Sequence, residues 1–185
     1  MRIAVIGGVG SGKSEVLNVA RAMDIVCLSA DEINAEMLTD SSYIKKIAEA
    51  FPNAVKDGKV DKVELATEIF RSHAKRQKLN SIAHPEIMKR IKANFADTIV
   101  VELPLVLESG AKAYFDEIVL VETPLATRLK RLKERGMTYR RAIAVIHSQA
   151  SRAELKKIAT YIIDNSGSID DLRLQSQMLF ETFCK

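Results

Sequence analysis

The start of the chain contains the feature that most restricts how it can fold. A short apolar run, Ile3 to Ile6, leads directly into the sequence GGVGSGKS and then into residues that favour a helix. Four positions match the pattern G-x-x-x-x-G-K-[ST], in which a glycine-rich turn between a strand and a helix holds phosphate groups: Gly7, Gly12, Lys13 and Ser14. The pattern predicts a nucleotide phosphate site beside the first strand.

Each residue type in this loop has a physical reason. Backbone N–H groups must converge on phosphate oxygens, and side chains in place of the loop glycines would obstruct that approach. The helix that follows, predicted over residues 12–23, adds the positive end of its dipole. Lys13 is expected to reach the β- and γ-phosphates, and the Ser14 hydroxyl to bind Mg²⁺. The expected nucleotide-binding stretch is Gly8, Val9, Gly10, Ser11, Gly12, Lys13, Ser14 and Glu15.

Four further segments have the apolar, β-branched composition of short buried strands. They cover residues 25–30, 98–105, 117–122 and 160–164, and helical stretches separate them. This order predicts an α/β fold of three layers, with a parallel sheet of about five strands covered on both faces. We expect one domain over residues 1–185, with ligands at the carboxyl ends of the strands.

Two helical stretches are longer than a crossover between strands needs. The first, residues 32–97, is a candidate acceptor-binding insertion with three predicted helix starts. These starts are Ser41 or Ser42, the capping box of Asp61 and Glu64, and Pro85, whose helix would carry Ile87, Met88, Ile91 and Phe95 on its apolar side. The second, residues 124–159, is a candidate lid with a strong basic excess: Arg128, Lys130, Arg131, Lys133, Arg135, Arg140, Arg141, Arg152, Lys156 and Lys157 against Glu134 and Glu154.

Composition narrows the class of protein further. No apolar run approaches the roughly 20 residues that cross a bilayer, and the N-terminus lacks the pattern of a signal peptide, so we expect a cytoplasmic protein without a membrane partner. Cys27 and Cys184 are distant, which argues against a disulfide or a cysteine metal site. The net charge of +4 suggests an anionic ligand. Few aromatic residues are present for stacking on bases, which argues against nucleic acid.

Asp31 lies just after the second predicted strand, where the carboxyl edge of the sheet would face the phosphate loop. A kinase needs a carboxylate there to position the acceptor hydroxyl and accept its proton. The surrounding sequence SADEIN equally suits an N-cap for a helix that begins near Glu32. The residues alone leave both interpretations open.

Taken in order, seven segments resemble the dephospho-CoA kinases, which phosphorylate the ribose 3′-hydroxyl of dephospho-CoA with ATP. The resemblance covers nearly the whole chain, and the joint order is specific although most single motifs are weak. The segments are GGVGSGKS, SADEI, DGKVDKVELATEIF, IAHPEI, VELPLVLESG, HSQAS and IIDNSGSIDDL. The resemblance implies a P-loop kinase-like fold, ATP as co-substrate with Mg²⁺, and dephospho-CoA as acceptor.

The resemblance also implies roles for individual residues. Asp31 and Lys13 would be catalytic, and Glu102 would hold Mg²⁺ through water. The acceptor would contact Asp31, His84, Pro104, Leu105 and Glu108, and ATP would contact Arg135 in the lid and Asn165 near adenine. Structural alternatives remain: a cap or core role for His84, core packing for Leu105, a solvated helix position for Glu108, and a turn with a Ser168–Asp171 capping box around Asn165.

Several positions depart from the family pattern. Glu15 replaces a usual Thr, Ser29 and Glu102 each replace an Asp, Val145 stands in place of an Arg in the lid, and Thr160 in place of an Asp. These departures leave open a related nucleotide or nucleoside kinase with another acceptor, and a non-catalytic nucleotide-binding protein. A switch GTPase would need a base-reading N-K-x-D motif, which the sequence lacks.

Overall fold

The computed structural model describes residues 1–70, 72–103 and 111–184. The strands are β1 (Arg2–Ile6), β2 (Val26–Ser29), β3 (Val55–Lys56), β4 (Lys59–Val60), β5 (Ile99–Glu102), β6 (Glu117–Glu122) and β7 (Tyr161–Asp164). The helices are α1 (Lys13–Ala22), α2 (Ala30–Met37), α3 (Ser41–Ala50), α4 (Lys62–Phe70), α5 (His73–Lys92), α6 (Leu125–Glu134), α7 (Tyr139–His147), α8 (Arg152–Ile158) and α9 (Ile169–Phe183). Short 3₁₀ turns cover Pro52–Ala54 and Ala111–Tyr114.

Five strands form a parallel sheet in the order β2-β5-β1-β6-β7. β1 is central, and Val5 pairs with Glu102 on one side and Val119 on the other. Ile3 and Val5 point to one face, Ala4 and Ile6 to the other, and all four are buried. The predicted α/β fold with a parallel five-stranded sheet is therefore confirmed, and burial on both faces explains the continuous apolar strands.

One face of the sheet is covered by α1 and α9. Val16, Leu17 and Ala20 of α1 pack with Leu172, Phe180 and Phe183 of α9 in one core cluster. Alternate strand residues complete it: Ile3, Val5, Val100, Val119, Val121 and Ile163. This packing fixes the start of α1, and therefore the loop before it, against the sheet.

The chain divides into two compact units. Met1–Ser29 and Ala96–Lys185 form one unit, which contains the parallel sheet, and Ala30–Phe95 form the other. The second unit contains α2 to α5 and a two-stranded antiparallel hairpin of β3 and β4. The hairpin turns at Asp57 and Gly58, both with positive φ, a turn that sequence analysis missed.

Three details of the second unit correct the sequence analysis. Asp40, rather than Ser41 or Ser42, caps α3, and its carboxylate accepts from the Ser42 N–H at 2.9 Å. Pro85 does not begin a helix but lies inside α5. Phe95 lies beyond the end of α5 and is 93% exposed, so it is not part of the apolar side.

Packing explains why α5 continues through Pro85. Ala83, Ile87 and Ile91 are buried at helical spacing on either side of the proline. Proline inside a helix costs about 3 kcal/mol because it removes one backbone hydrogen bond and crowds the preceding turn. Burial of one apolar side chain contributes about 1.5–3 kcal/mol, so this row of side chains outweighs that cost. Within the described ranges, no helix has the length and apolar character of a membrane span.

Candidate nucleotide-binding site

The phosphate loop occupies the turn between β1 and α1, as its pattern predicts. Gly10 and Gly12 have φ values of 76° and 100°, in the left-handed region that favours glycine. The Ser11 N–H donates to the Gly8 carbonyl at 3.1 Å, which closes the turn. α1 begins at Lys13, so the first N–H groups of the helix face the loop.

Lys13 lies across the base of the loop and is only 8% exposed. Its Nζ donates to the Gly7 carbonyl at 3.0 Å and lies 3.6 Å from Oε1 of Glu102. Glu102 ends β5, the strand next to β1, so the parallel sheet itself brings this carboxylate to the loop. The Glu102 carboxylate offsets part of the cost of burying the Lys13 ammonium.

Three polar side chains, one buried and two half-buried, hydrogen-bond to the loop. The Ser11 carbonyl accepts from the Asn165 side-chain amide at 2.7 Å and from the Thr123 hydroxyl at 2.8 Å. Arg131 donates to the Gly10 and Ser11 carbonyls at 3.3 and 3.5 Å and to the Asn165 Oδ1 at 3.4 Å. Because Asn165 is only 1% exposed, this network is a fixed part of the fold.

Asn165 precedes the expected capping box at the start of α9. Its side chain lies against the Ser11 carbonyl, while Ser168 and Asp171 form the reciprocal capping box that starts α9. A Cβ at Gly12 would lie 2.4 Å from the Asn165 Nδ2. Glycine is therefore required at position 12 both by the backbone φ and by the asparagine packed against it. Contact of Asn165 with adenine stays a prediction.

Two side chains from the candidate lid stretch bind the loop at Val9. The Val9 N–H donates to Oε1 of Gln149 at 2.8 Å, and Nε of Arg128 donates to the Val9 carbonyl at 2.9 Å. The backbone N–H and the backbone carbonyl of Val9 are therefore both hydrogen-bonded by these side chains. The contacts tie α6 and the segment after α7 to the loop.

The guanidinium of Arg128 fills the space beside Gly8. A Cβ at Gly8 would lie 2.3 Å from the Arg128 Nη2. Burial lowers the pKa of Arg128, and its Nη2 is buried without a hydrogen-bond partner, as is the Ser11 hydroxyl. The loop pattern predicts a glycine at position 8 for the approach of phosphate, and in the structure Gly8 also accommodates this arginine.

The first turn of α1 carries the two residues that follow Lys13. Ser14 is exposed, so its hydroxyl is available for a metal ion that accompanies a nucleotide. Glu15 accepts from Nε of Arg173 at 2.7 Å and from the Asn18 amide at 3.2 Å. The hydrogen bond from Arg173 is the main cause that lowers the pKa of Glu15.

A second acidic residue anchors the end of the candidate lid. Glu122, the last residue of β6, accepts from Nε and Nη2 of Arg152 and lies 3.1 Å from Nζ of Lys156. These cations of α8 lower the pKa of Glu122 to about 2, the Arg152 hydrogen bond being the largest cause. Arg135, at the end of α6, is exposed.

Two arginines of the basic stretch bind the loop, and neither is Arg135, the lid residue that the family resemblance implies. Arg128 and Arg131 lie three residues apart on one face of α6, a spacing that signals a shared contact. Gln149 belongs to the motif HSQAS, but that motif carried no assigned role. Thr123 had no signal beyond its place at the carboxyl end of β6.

The expected acceptor residues fall in other parts of the chain. Asp31 lies exposed within the first turn of α2, so it is not the N-cap of that helix. His84 is half-buried in the middle of α5, which excludes a capping role. Pro104, Leu105 and Glu108 lie outside the described residues. In the described part of the chain, no three His, Cys, Asp or Glu side chains form a metal-binding group.

The sheet is parallel and five-stranded, and a glycine loop, a buried lysine and the start of a helix follow the carboxyl end of its central strand. These features define a P-loop nucleotide-binding protein of the kinase type. Residues 1–171 match the family model described as dephospho-CoA kinase. The chain belongs to the dephospho-CoA kinase family.

Individual relatives agree with the family match. The chain is 34% identical to a dephospho-CoA kinase of Bacillus licheniformis, with 98% of this chain and 96% of that protein covered. It is also 34% identical to that of Carboxydothermus hydrogenoformans, with 94% and 89% covered. Sequence similarity therefore extends over both compact units.

Solved structures are similar over the same length. Dephospho-CoA kinase from Campylobacter jejuni superposes with a TM-score of 0.69 at 26% identity, covering 98% of this chain and 96% of that chain. A shikimate kinase from Acinetobacter baumannii has a TM-score of 0.59 at 15% identity, covering 99% and 92%. The second likeness concerns the fold alone.

Proposed function

We propose that this protein transfers the γ-phosphate of ATP to the 3′-hydroxyl of the ribose of dephospho-CoA, forming coenzyme A. The observation that carries the proposal is the family match over residues 1–171, which includes both the phosphate loop and the helical unit. The geometry of Lys13 and the loop supports it, since phosphoryl transfer depends mainly on positioning and charge stabilisation. A cytoplasmic location is part of the proposal, and the two free thiols support it.

In the proposed mechanism, the loop N–H groups and Lys13 hold the triphosphate, and Lys13 offsets charge on the β- and γ-phosphates. Ser14 would hold Mg²⁺ directly and Glu102 would do so through water. When bound, the metal supplies positive charge that neutralises the transferring phosphoryl group. The exposed Ser14 hydroxyl and the Glu102 carboxylate beside Lys13 are oxygen donors of the kind that Mg²⁺ prefers.

The acceptor side of the mechanism is assigned to Asp31. Its carboxylate would orient the ribose 3′-hydroxyl and accept its proton during transfer. His84, Pro104, Leu105 and Glu108 would contact dephospho-CoA, while Arg135 and Asn165 would contact ATP. Exposure of Asp31 in the first turn of α2 supports its assignment, because a general base must reach the substrate.

The test measures ATP consumption by the purified protein with Mg²⁺ and each of five acceptor conditions: dephospho-CoA, adenosine, AMP, shikimate and no acceptor. The proposal expects turnover only with dephospho-CoA, with the product phosphorylated at the ribose 3′ position. ATP binding without phosphorylation of dephospho-CoA would contradict it. Preferred turnover of another acceptor would reassign the chain to a different kinase reaction.

Asp31→Asn tests the assigned base within the same assay. Loss of general-base catalysis is expected to lower kcat by about 10²- to 10⁴-fold with little change in stability. Glu36→Gln is the matched control, since Glu36 is an exposed carboxylate on the same helix. Equal activity of the two variants would remove Asp31 from the mechanism.

A further inference from the structure

Glu15 places a negative charge beside the predicted triphosphate site. It lies in the first turn of α1, two residues after Lys13. A carboxylate at a helix N-terminus interacts with the same dipole and N–H groups that bind phosphate. Like charges in such a partly exposed place repel, so an unpaired Glu15 would weaken nucleotide binding.

Two side-chain donors hold this carboxylate. Oε1 accepts from Nε of Arg173 at 2.7 Å, and Oε2 accepts from the Asn18 amide at 3.2 Å. The Arg173 guanidinium lies directly against this carboxylate, so its positive charge compensates the charge of Glu15. The pair joins α1 to α9.

Arg173 is held at this place by the start of α9. The capping box of Ser168 and Asp171 fixes the first turn of the helix. Leu172, next to Arg173, is 2% exposed, and its Cδ2 lies 3.5 Å from the position of a Cβ at Gly12. Asp170 accepts from Nη1 of Arg173 at 3.4 Å and helps to orient the guanidinium.

We infer that Arg173 is a positioning residue for nucleotide binding, which acts through Glu15. It neutralises the carboxylate and holds it toward α9, so that the N-terminal end of α1 remains available to phosphate. The inference rests on the proposed function in one respect, that the loop binds ATP. It goes beyond that function because neither residue needs to contact the acceptor.

The test is a double-mutant cycle read out by calorimetric titration of the full-length protein with Mg-ATP. Arg173→Gln is expected to weaken ATP binding about fivefold, because the Glu15 charge is then unpaired. Glu15→Gln in the same chain is expected to restore the affinity to within about twofold of wild type. Arg173→Lys, which keeps the positive charge, is expected to bind ATP nearly as wild type does.

Salt provides a readout that packing alone would not move. The defect of Arg173→Gln is expected to shrink between about 0.05 M and about 0.5 M salt, because ions screen the exposed carboxylate. Wild-type affinity in Arg173→Gln would overturn the inference. A double variant as weak as Arg173→Gln would also overturn it, since the loss would then come from packing.

Two controls keep the outcome interpretable. Lys56→Gln removes a similar half-exposed ion pair, Lys56 with Asp61, and is expected to leave ATP affinity unchanged. If Arg173→Gln does not fold, a second double-mutant cycle uses Arg173→Met in its place, alone and combined with Glu15→Gln. Failure of wild type to phosphorylate dephospho-CoA would contradict the proposed function, whereas the ATP titrations would still decide the role of Arg173.

Discussion

Arg128 and Gly8 occupy adjoining space, and only the missing side chain of the glycine makes room for the guanidinium. The Arg128 Nη2 and Cζ lie 2.3 and 2.5 Å from the position of a Cβ at Gly8. In the same arrangement, Nε of Arg128 bonds to the Val9 carbonyl. Arg128 of α6 therefore holds the phosphate loop at Gly8 and Val9.

This contact predicts that Gly8→Ala acts by displacing Arg128. The backbone at Gly8 does not require positive φ, and the crowded atoms are the end of a flexible side chain. We expect Gly8→Ala and Arg128→Ala each to weaken ATP binding about tenfold, which corresponds to loss of one hydrogen bond from a charged donor. The double variant is expected to bind like either single variant, because residues that share one contact are not additive.

Lys130→Ala, an exposed cation on the same helix, is the control for charge. Calorimetric ATP titration of the wild type and the four variants measures the effects. Additive losses in the double variant would show that the two residues act separately.

Gly12→Ala is expected to be more damaging than an alanine at another left-handed glycine. Gly58 in the hairpin has φ of 70° with open space around its Cβ position, so Gly58→Ala measures backbone strain alone. That strain costs roughly 1–2 kcal/mol. At Gly12, the Asn165 amide would have to leave the Ser11 carbonyl, adding about 1–3 kcal/mol for unpaired buried groups.

Urea unfolding of both variants compares the two free energies of unfolding. If Gly12→Ala lowers the free energy of unfolding no more than Gly58→Ala does, the hydrogen bonds of the buried Asn165 do not contribute as predicted. Asn165→Leu, which removes the amide but keeps similar volume, is expected to lose about 1–3 kcal/mol by itself.

The ion pairs of Glu122 predict a dependence of stability on acid. The pKa of Glu122 is about 2 in the folded chain, against 4.5 for the free carboxyl. A lowered folded pKa means that the stabilisation is complete above pH 4.5 and is lost as pH falls toward about 2. Because Arg152 is mostly exposed, each pair contributes at most about 1 kcal/mol.

Glu122→Gln removes both ion pairs and is expected to lower the free energy of unfolding at neutral pH by at most about 1 kcal/mol for each pair. The decrease in the free energy of unfolding below pH 4.5 is expected to be smaller in this variant than in the wild type. The measurement is urea unfolding at a series of pH values, with Glu117→Gln at the other end of β6 as control. An unchanged pH profile would remove Glu122 as the acid-sensitive group.

Pro85→Ala is expected to stabilise the chain. The alanine restores a backbone donor inside α5 and relieves the crowding of the preceding turn, a gain of up to about 3 kcal/mol that the freer unfolded chain reduces. Pro52→Ala is the contrast, since Pro52 stands at the start of a 3₁₀ turn, where proline is favourable. Thermal unfolding of both variants tests the prediction, and a lower melting temperature of Pro85→Ala than of the wild type would contradict it.

Much of the unit that contains the sheet follows from local sequence. The glycine loop, the strands at Arg2–Ile6 and Glu117–Glu122 and the capping box at Ser168 are set by residue type and spacing, and each forms where its pattern predicts. Short buried strands of a parallel sheet must be apolar along their whole length, so composition alone reveals them. The Asp57–Gly58 turn also carries a local signal, although sequence analysis did not use it.

Other features depend on partners that are distant in sequence. Pro85 predicts a helix start by local rules, but the burial of Ile87 and Ile91 carries the helix through it. Asp40 caps α3 because its backbone is extended there, which the neighbouring serines do not reveal.

Residue type and spacing are enough to specify a phosphate loop on a parallel sheet, together with a basic helical stretch. Which cations of that stretch bind the loop depends on packing, since Arg128 and Arg131 face the loop while Arg135 is exposed. Packing also placed Asn165 under Ser11 and Arg173 beside Glu15, across 154 and 158 residues of sequence. The physical reason is that charge and hydrogen-bonding capacity belong to a residue, whereas its partner is set by the register and packing of the elements that carry it.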